Sequence, residues 1–394
     1  MPASPRFTSC TASRSRRRLV LRSLVAATVA ALAAFAPLSF TINSANAATS
    51  TASWLASQVA ADGSVVDPYG TEPSVDWTVN VAMALLVAGG QSEALERAVA
   101  YVEANADAYI TSGTSDEAGH LSWLVFLAVF TERDPRAFGE SSLDLISRLE
   151  SRFEVAESGL FGTVDDYTPV TNQSLAIIAL NAAGADVPVG ALAWLQAQQC
   201  ETPAEQAGGW QGYRAEVTSG VLAACLPATS AEFNRADAAS TSFALQALAA
   251  VGRVDDPAIL AGLGWFHRLQ SAAAPAPGGF GQYIGDPSDP NSTALVIQAI
   301  RATDDFNLDG WEFGSGDPEA SMNAWVITSG PDAGALASPY SAGAADLYAT
   351  YQGLWGLTQR PLPTVLVGPV PEPIDGDSPQ VGDPSTPVAP SFTG

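Results

Sequence analysis

The chain sets 41 acidic side chains against 17 arginines, has no lysine, and carries a formal charge of −24 over 394 residues. So acidic a surface repels phosphate backbones and anionic headgroups, which argues against nucleic-acid and membrane-surface partners. The length fits one large domain or two ordinary ones, and with 47% hydrophobic residues there is material for a sizeable core.

Residues 1–47 read as an export signal. Arg14, Arg16, Arg17, Arg18 and Arg22 form a basic start, residues 24–40 are apolar but short for a membrane span, and Ala45-Asn46-Ala47 is a small-x-small cleavage site. The run from Ser15 to Leu21 is compatible with a twin-arginine signal, and the general route fits as well. Cleavage removes six of the 17 arginines and no acid, which leaves a formal charge near −30.

Next come six predicted helical hairpins. Their second helices span about 75–87, 119–129, 170–183, 238–251, 291–302 and 344–357. Apolar residues recur in them at i, i+3, i+4 and i+7, as at Leu175, Ile178, Ala179 and Ala182. Most begin near Asp, Asn, Ser or Thr and end at Gly or before Asp-Pro, as at Gly184, Gly252 and Asp256-Pro257. These helices are Ala-rich and apolar on most faces, so they belong inside. The first helices, such as 94–99, 143–150 and 189–199, mix polar and apolar residues and read as an outer layer. Six inner and six outer helices close into an all-α, α/α toroid.

Within this body a pattern repeats. Trp194-Leu195, Gln198-Gln199, Gly208-Gly209-Trp210 and Asp237-x-x-Ser240-Thr241-x-x-Ala244-Leu245 recur as Trp265-Phe266, Leu269-Gln270, Gly278-Gly279-Phe280 and Asp289-x-Asn291-Ser292-Thr293-Ala294-Leu295. Such a period marks stacked supersecondary units. Glycine permits the tight turn between antiparallel helices, the aromatic covers the seam, and the Gln is placed to bond the turn's backbone. Cys200 and Cys225 are the two cysteines that survive cleavage. They read as a disulfide closing a loop of about 25 residues, the other reading being two separately buried thiols. Residues 361–394 hold nine prolines and one aromatic, a composition that builds no core and predicts an extended tail.

The Trp, Gln-Gln, Gly-Gly-aromatic and Ser/Thr-x-x-Ala-Leu words resemble the repeats of the prenyltransferase/squalene–hopene cyclase superfamily, clearly over residues 188–302 and more weakly on either side. The resemblance implies the α/α toroid, which also carries protein prenyltransferases, thioester domains and secreted cobalamin carriers. The activity motifs of those proteins do not follow. Where a class II cyclase has Asp-x-Asp-Asp, the nearest run is Thr163-Val164-Asp165-Asp166. Cys200, Cys225, His120 and His267 have no metal-ligand spacing, so no metal site is expected. No Cys-Gly-Glu-Gln run exists.

The expectation is therefore an exported, monomeric toroid, secreted or associated with the cell wall. It binds a small-molecule or cell-surface ligand at the barrel mouth, without catalysis and without a membrane anchor after cleavage. Loops between first and second helices are expected to line that mouth. The ligand candidates are Trp77, Asn80, His120, Tyr167, Asn172, Tyr213, Tyr283, Asp286, Asp289 and Asn291: aromatics and polar groups that suit a neutral or cationic organic molecule. No cofactor is predicted; cobalamin is the most specific ligand the resemblance suggests. The alternatives are a terpenoid cyclase- or prenyltransferase-like enzyme, or a glycan-active toroid using paired carboxylates from Asp165, Asp166 and Asp237.

Overall fold

The computed structural model describes residues 44–112, 115–163, 169–212, 225, 235–303, 308 and 310–362. Among them are twelve α-helices: α1 (Ser44–Gln58), α2 (Val75–Ala88), α3 (Ser92–Ile110), α4 (Ala118–Phe130), α5 (Leu145–Glu150), α6 (Pro169–Ala182), α7 (Val189–Ala197), α8 (Ala238–Ala250), α9 (Pro257–Leu269), α10 (Pro290–Ala302), α11 (Pro318–Ala324) and α12 (Leu347–Thr358). Two antiparallel ribbons, β1 (Val65–Val66) with β2 (Pro73–Ser74) and β3 (Thr111–Ser112) with β4 (Ser115–Asp116), precede α2 and α4.

The even-numbered helices form a closed ring. Each packs on the next, from α2 through α4, α6, α8 and α10 to α12, and α12 packs back on α2. The odd-numbered helices lie outside, and α1 bridges α12 and α2. This is the α/α toroid that the repeat predicts. The inner helices bury nearly every face: α8 alone buries ten consecutive-to-near positions from Ala238 to Leu248. Small Ala side chains let these helices approach closely, while the outer α3 and α9 keep a polar face toward water.

The repeated words turn out to be joints. Gln199 Nε2 donates to the carbonyls of Gly208 and Ala258, both at 2.8 Å, and Gln270 Nε2 donates to those of Gly278, at 2.8 Å, and Trp311. Trp210 and Phe280 are fully buried in the seams. Their backbone N–H groups donate to Thr241 Oγ1 and Thr293 Oγ1, each at 2.9 Å. Val65 to Thr78 and Leu336 to Thr350 repeat that bond at 2.9 Å, and Gln173 Oε1 plays the part for Phe161 at 2.7 Å. The unit thus extends to hairpins in which the sequence hides it. Between the two ends of the described chain, Thr51 Oγ1 on α1 donates to the Gly334 carbonyl at 2.7 Å and helps close the ring.

The predicted helix boundaries hold to within a few residues. Among the inner helices the largest departure is α12, which starts at Leu347 rather than 344, because Asp346 caps it by accepting the Ala349 N–H at 3.1 Å, while the outer segment read at 94–99 extends to Ser92–Ile110. Cys200 and Cys225 are joined by a disulfide, with Cα atoms 5.7 Å apart.

The two ends of the barrel differ. At the C-terminal ends of the inner helices, residues 360–362 cross the bore. Leu362 N–H donates to Gln246 Oε1 at 2.8 Å, Gln298 Nε2 to the Arg360 carbonyl at 2.9 Å, and Arg360 Nη1 to the Val87 carbonyl at 3.1 Å. The N-terminal ends of the inner helices open instead into a cavity.

Candidate functional site

That cavity, about 520 Å³, draws lining residues from all six inner helices. Helical spacing decides which. On α12, Tyr348, Tyr351, Gln352 and Trp355 stand at i, i+3, i+4 and i+7 and share one face. The same rule pairs Asp76 with Asn80 on α2, His120 with Trp123 on α4, and Ala239 with Phe243 on α8. Thr171, Asn172 and Leu175 come from α6, and Leu295 from α10.

Aromatic rings from alternate helices meet across the bore. Trp123 on α4 lies 5.9 Å from Trp355 on α12 and 6.5 Å from Phe243 on α8, centroid to centroid. Tyr351 continues the chain, 5.7 Å from Trp355 and 5.9 Å from Trp77. These rings form the floor. Trp355 is 1% exposed, and its indole N–H has no hydrogen-bond partner. A buried donor of this kind calls for an acceptor oxygen beside it.

The polar wall centres on Tyr109. Its carbonyl lies 2.7 Å from His120 Nδ1. A carbonyl only accepts, so Nδ1 carries the hydrogen of that bond. The Tyr109 and His120 rings stack at 4.2 Å, and Glu117 approaches the imidazole to 3.6 Å. The Tyr109 hydroxyl stands 3.5 Å from Asp76 Oδ1. Burial holds that phenol well above its ordinary range, with the nearby Asp76 carboxylate adding to the effect, so it stays protonated and donates. Asp76 is open to water at the rim, yet crowded by its concave surroundings. Partial loss of hydration raises its carboxyl, opposed by His120. Gly119 makes room for the opposite amide: a Cβ there would sit 2.4 Å from Asn172 Oδ1.

Of the residues the sequence nominates, Asn80, His120 and Asn172 line the cavity. Trp77 stands beside it, in edge contact with Tyr348 and Tyr351. Asn291 lies one step behind, its Nδ2 donating to Gln352 Oε1 at 2.9 Å. Asp237 and Asp289 are helix caps: each accepts an N–H, from Ser240 and from Ser292, at 2.8 Å. Burial raises both carboxyls to about 6, against their hydrogen bonds to the first helical turn. Tyr283 is buried beneath the Arg235 guanidinium, 3.5 Å from its ring centroid. Asp286 sits in the loop before α10, its N–H bonded to the Tyr283 carbonyl at 3.0 Å. Asp165, Asp166, Tyr167 and Tyr213 lie outside the described residues. His267 stacks on Trp311 at 4.0 Å.

The lining also departs from the expected loops, because most of it comes from the first turns and inward faces of the helices themselves. Glu117, Tyr348, Tyr351 and Gln352 were missed. The Tyr-x-x-Tyr-Gln-x-x-Trp spacing on α12 was the signal available for three of them. Among the described residues, no group of three or more His, Cys, Asp or Glu is placed to hold a metal ion, and no helix is long and apolar enough to cross a membrane.

Fold and cavity define an α/α toroid with a cavity at the N-terminal ends of its inner helices. Neither a known sequence family nor a curated protein matches the chain. Solved structures do. A protein from Actinoplanes aligns at a TM-score of 0.51 and 16% identity, over 80% of this chain and 99% of that one. An inactive variant of the α-1,6-mannanase GH76A of Salegentibacter sp. HEL1_6, in complex with α-1,6-mannotriose, aligns at 0.52 and 12%, over 81% and 99%. The unsaturated glucuronyl hydrolase of Bacillus sp. GL1 aligns at 0.52 and 13%, over 79% and 95%. At these identities the likeness is one of fold.

Proposed function

We propose that the barrel mouth is the working site of this protein and that it holds one small, hydroxyl-bearing organic molecule, such as a sugar unit. The observation that carries this reading is the convergence of aromatic rings, amides and carboxylates on a single cavity at the barrel mouth. Ring faces pack on the C–H faces of a sugar, while Asn80, Asn172 and Gln352 can bond its hydroxyls. Two solved toroids of the same fold are named for glycans, which supports the class. The cavity, about 520 Å³, falls inside the ~300–1,000 Å³ range of small-ligand sites, whereas a corrinoid is several times larger than a sugar ring. The leader, the acidic surface and the disulfide support an exported protein that works outside the cell or at its wall.

The test is titration with monosaccharides and α-1,6-mannotriose, followed by tryptophan fluorescence, since Trp123 and Trp355 line the cavity. Saturable quenching is expected, weakened about 2- to 12-fold by Trp123→Ala, given the ~0.5–1.5 kcal/mol that such ring contacts contribute. Failure of every sugar to bind rejects the reading.

A second reading, a glycan-active enzyme, is favoured by the Asp76 carboxyl and the His120 imidazole on one wall. Asp237 does not line the cavity, so Asp76 joins Asp165 and Asp166 as the carboxylates to substitute. Release of reducing ends from a bound oligosaccharide, abolished by Asp76→Asn or by Asp165→Asn with Asp166→Asn, would establish it.

A further inference from the structure

If the mouth holds the ligand, as proposed above, the charge of that ligand follows from the lining. We propose that the mouth selects a protonated amine, an amino sugar or a comparable hydroxylated amine, over a neutral sugar or a sugar acid.

Among the described residues, the cavity is lined by two carboxylates, Asp76 and Glu117, and by no arginine. Asp76 has no ion pair among the described residues. Its one side-chain contact is the Tyr109 hydroxyl at 3.5 Å, the outer limit of a hydrogen bond. A solvent-facing carboxylate in a crowded concavity, without a cation, gains most from a ligand that brings one. Further carboxylates stand near: Asp67 acts on Asp76, where His120 opposes it, and Asp289 and Asp346 act on Tyr348 across the rim. Among the described residues, His120 is the only basic side chain in the lining.

The second line of support is aromatic. Tyr69, Trp77 and Tyr348 form a ledge on the Asp76 side, with Tyr69 and Tyr348 centroids 6.0 and 6.3 Å from Trp77. Tyr69 is 84% exposed and Tyr348 42%. Faces of Trp and Tyr attract a cation through the ring quadrupole, and a carboxylate at the edge of such a ledge completes the complement to an ammonium group. The third observation restricts the rest of the ligand. Asn80, Asn172 and Gln352 in the lining offer amides for hydroxyl groups, which a bare alkylamine lacks.

The experiment is a calorimetric titration of the purified protein with D-glucosamine, D-glucose and D-glucuronate, below neutral pH where the amine is protonated. Glucosamine should bind about tenfold more tightly than glucose, the effect of a partly desolvated cation–π and carboxylate contact. Glucuronate should bind more weakly than either. Added sodium chloride should narrow the gap between glucosamine and glucose. In Asp76→Asn, with folding checked by circular dichroism, the glucosamine-to-glucose ratio should fall to about one. Equal binding of the three, or tightest binding of glucuronate, overturns the amine proposal and leaves the sugar reading standing. Binding of none overturns both.

Discussion

Replacing Gly278 by Ala tests the claim that the Gly-Gly-aromatic word is a joint between neighbouring hairpins. Gly278 has φ 88°, a conformation that L side chains rarely adopt. A Cβ there would lie 2.3 Å from both Asp317 N and Gly316 C, at the start of α11. Asp317 caps that helix, accepting the Ala320 N–H at 2.7 Å, so neither neighbour can retreat without disturbing the cap. The positive φ costs about 1–2 kcal/mol, and the overlap about 1–3 kcal/mol more. Two other glycines separate these terms. Gly252, φ 76°, has nothing within 4 Å of its would-be Cβ, so Gly252→Ala should carry the conformational cost alone. Gly264, inside α9, also has open space, so Gly264→Ala should stabilise by about 0.5–1 kcal/mol. Urea unfolding at matched m-values measures all three. The expected order of stability is Gly264→Ala, wild type, Gly252→Ala, Gly278→Ala, with the last below the third by more than about 1 kcal/mol. If Gly278→Ala costs no more than Gly252→Ala, the close approach to α11 does not limit the joint and the reasoning fails.

Other predictions address charge and cross-linking. The buried Asp237 carboxyl, raised to about 6 from 3.8, binds its proton more tightly folded than unfolded, so its contribution to stability is present below about pH 4 and is lost as pH rises through about 6. Asp237→Asn keeps a side-chain acceptor for the cap, and in thermal melts it should flatten that window by up to about 1.4 kcal/mol per pH unit. Arg148 grips Asp116 with two nitrogens, at 2.7 and 2.6 Å, and Asp107 with a third at 2.7 Å. Lysine cannot reproduce the fork, so Arg148→Lys should cost about 1 kcal/mol in urea unfolding, and rescue of full stability by Lys would contradict the bidentate account. Denatured but unreduced protein should show no reactive thiol, and Cys200→Ser with Cys225→Ser should lower unfolding free energy by roughly 3 kcal/mol.

The sequence determined the architecture because the forces that set it are local or periodic. Helices buried on nearly every face reveal themselves as Ala-rich runs with apolar residues on most sides. Caps such as Asp237 and Asp289 act on residues only three positions away. The turn joints carry a fixed vocabulary of Gln, Gly, aromatic and Thr, although Gln173 in place of Thr, Val65 after Gly63 and Leu336 after Gly334 concealed three of them. The site was legible only in pieces. Asp76, His120, Asn172, Phe243 and Trp355 sit on five different helices, and nothing along the chain states that their faces turn toward one bore. An inner helix that is apolar all round does not announce which side faces the axis, which is why Tyr348, Tyr351 and Gln352 went unnoticed despite their spacing. The same tertiary closure placed Asp237, a candidate carboxylate in sequence, and Asp289, a candidate ligand residue, at helix starts as caps, and left Asp76 facing the cavity. Local pattern built the barrel; the angular setting of each inner helix, fixed only when α12 packs back against α2, decided what the mouth contains.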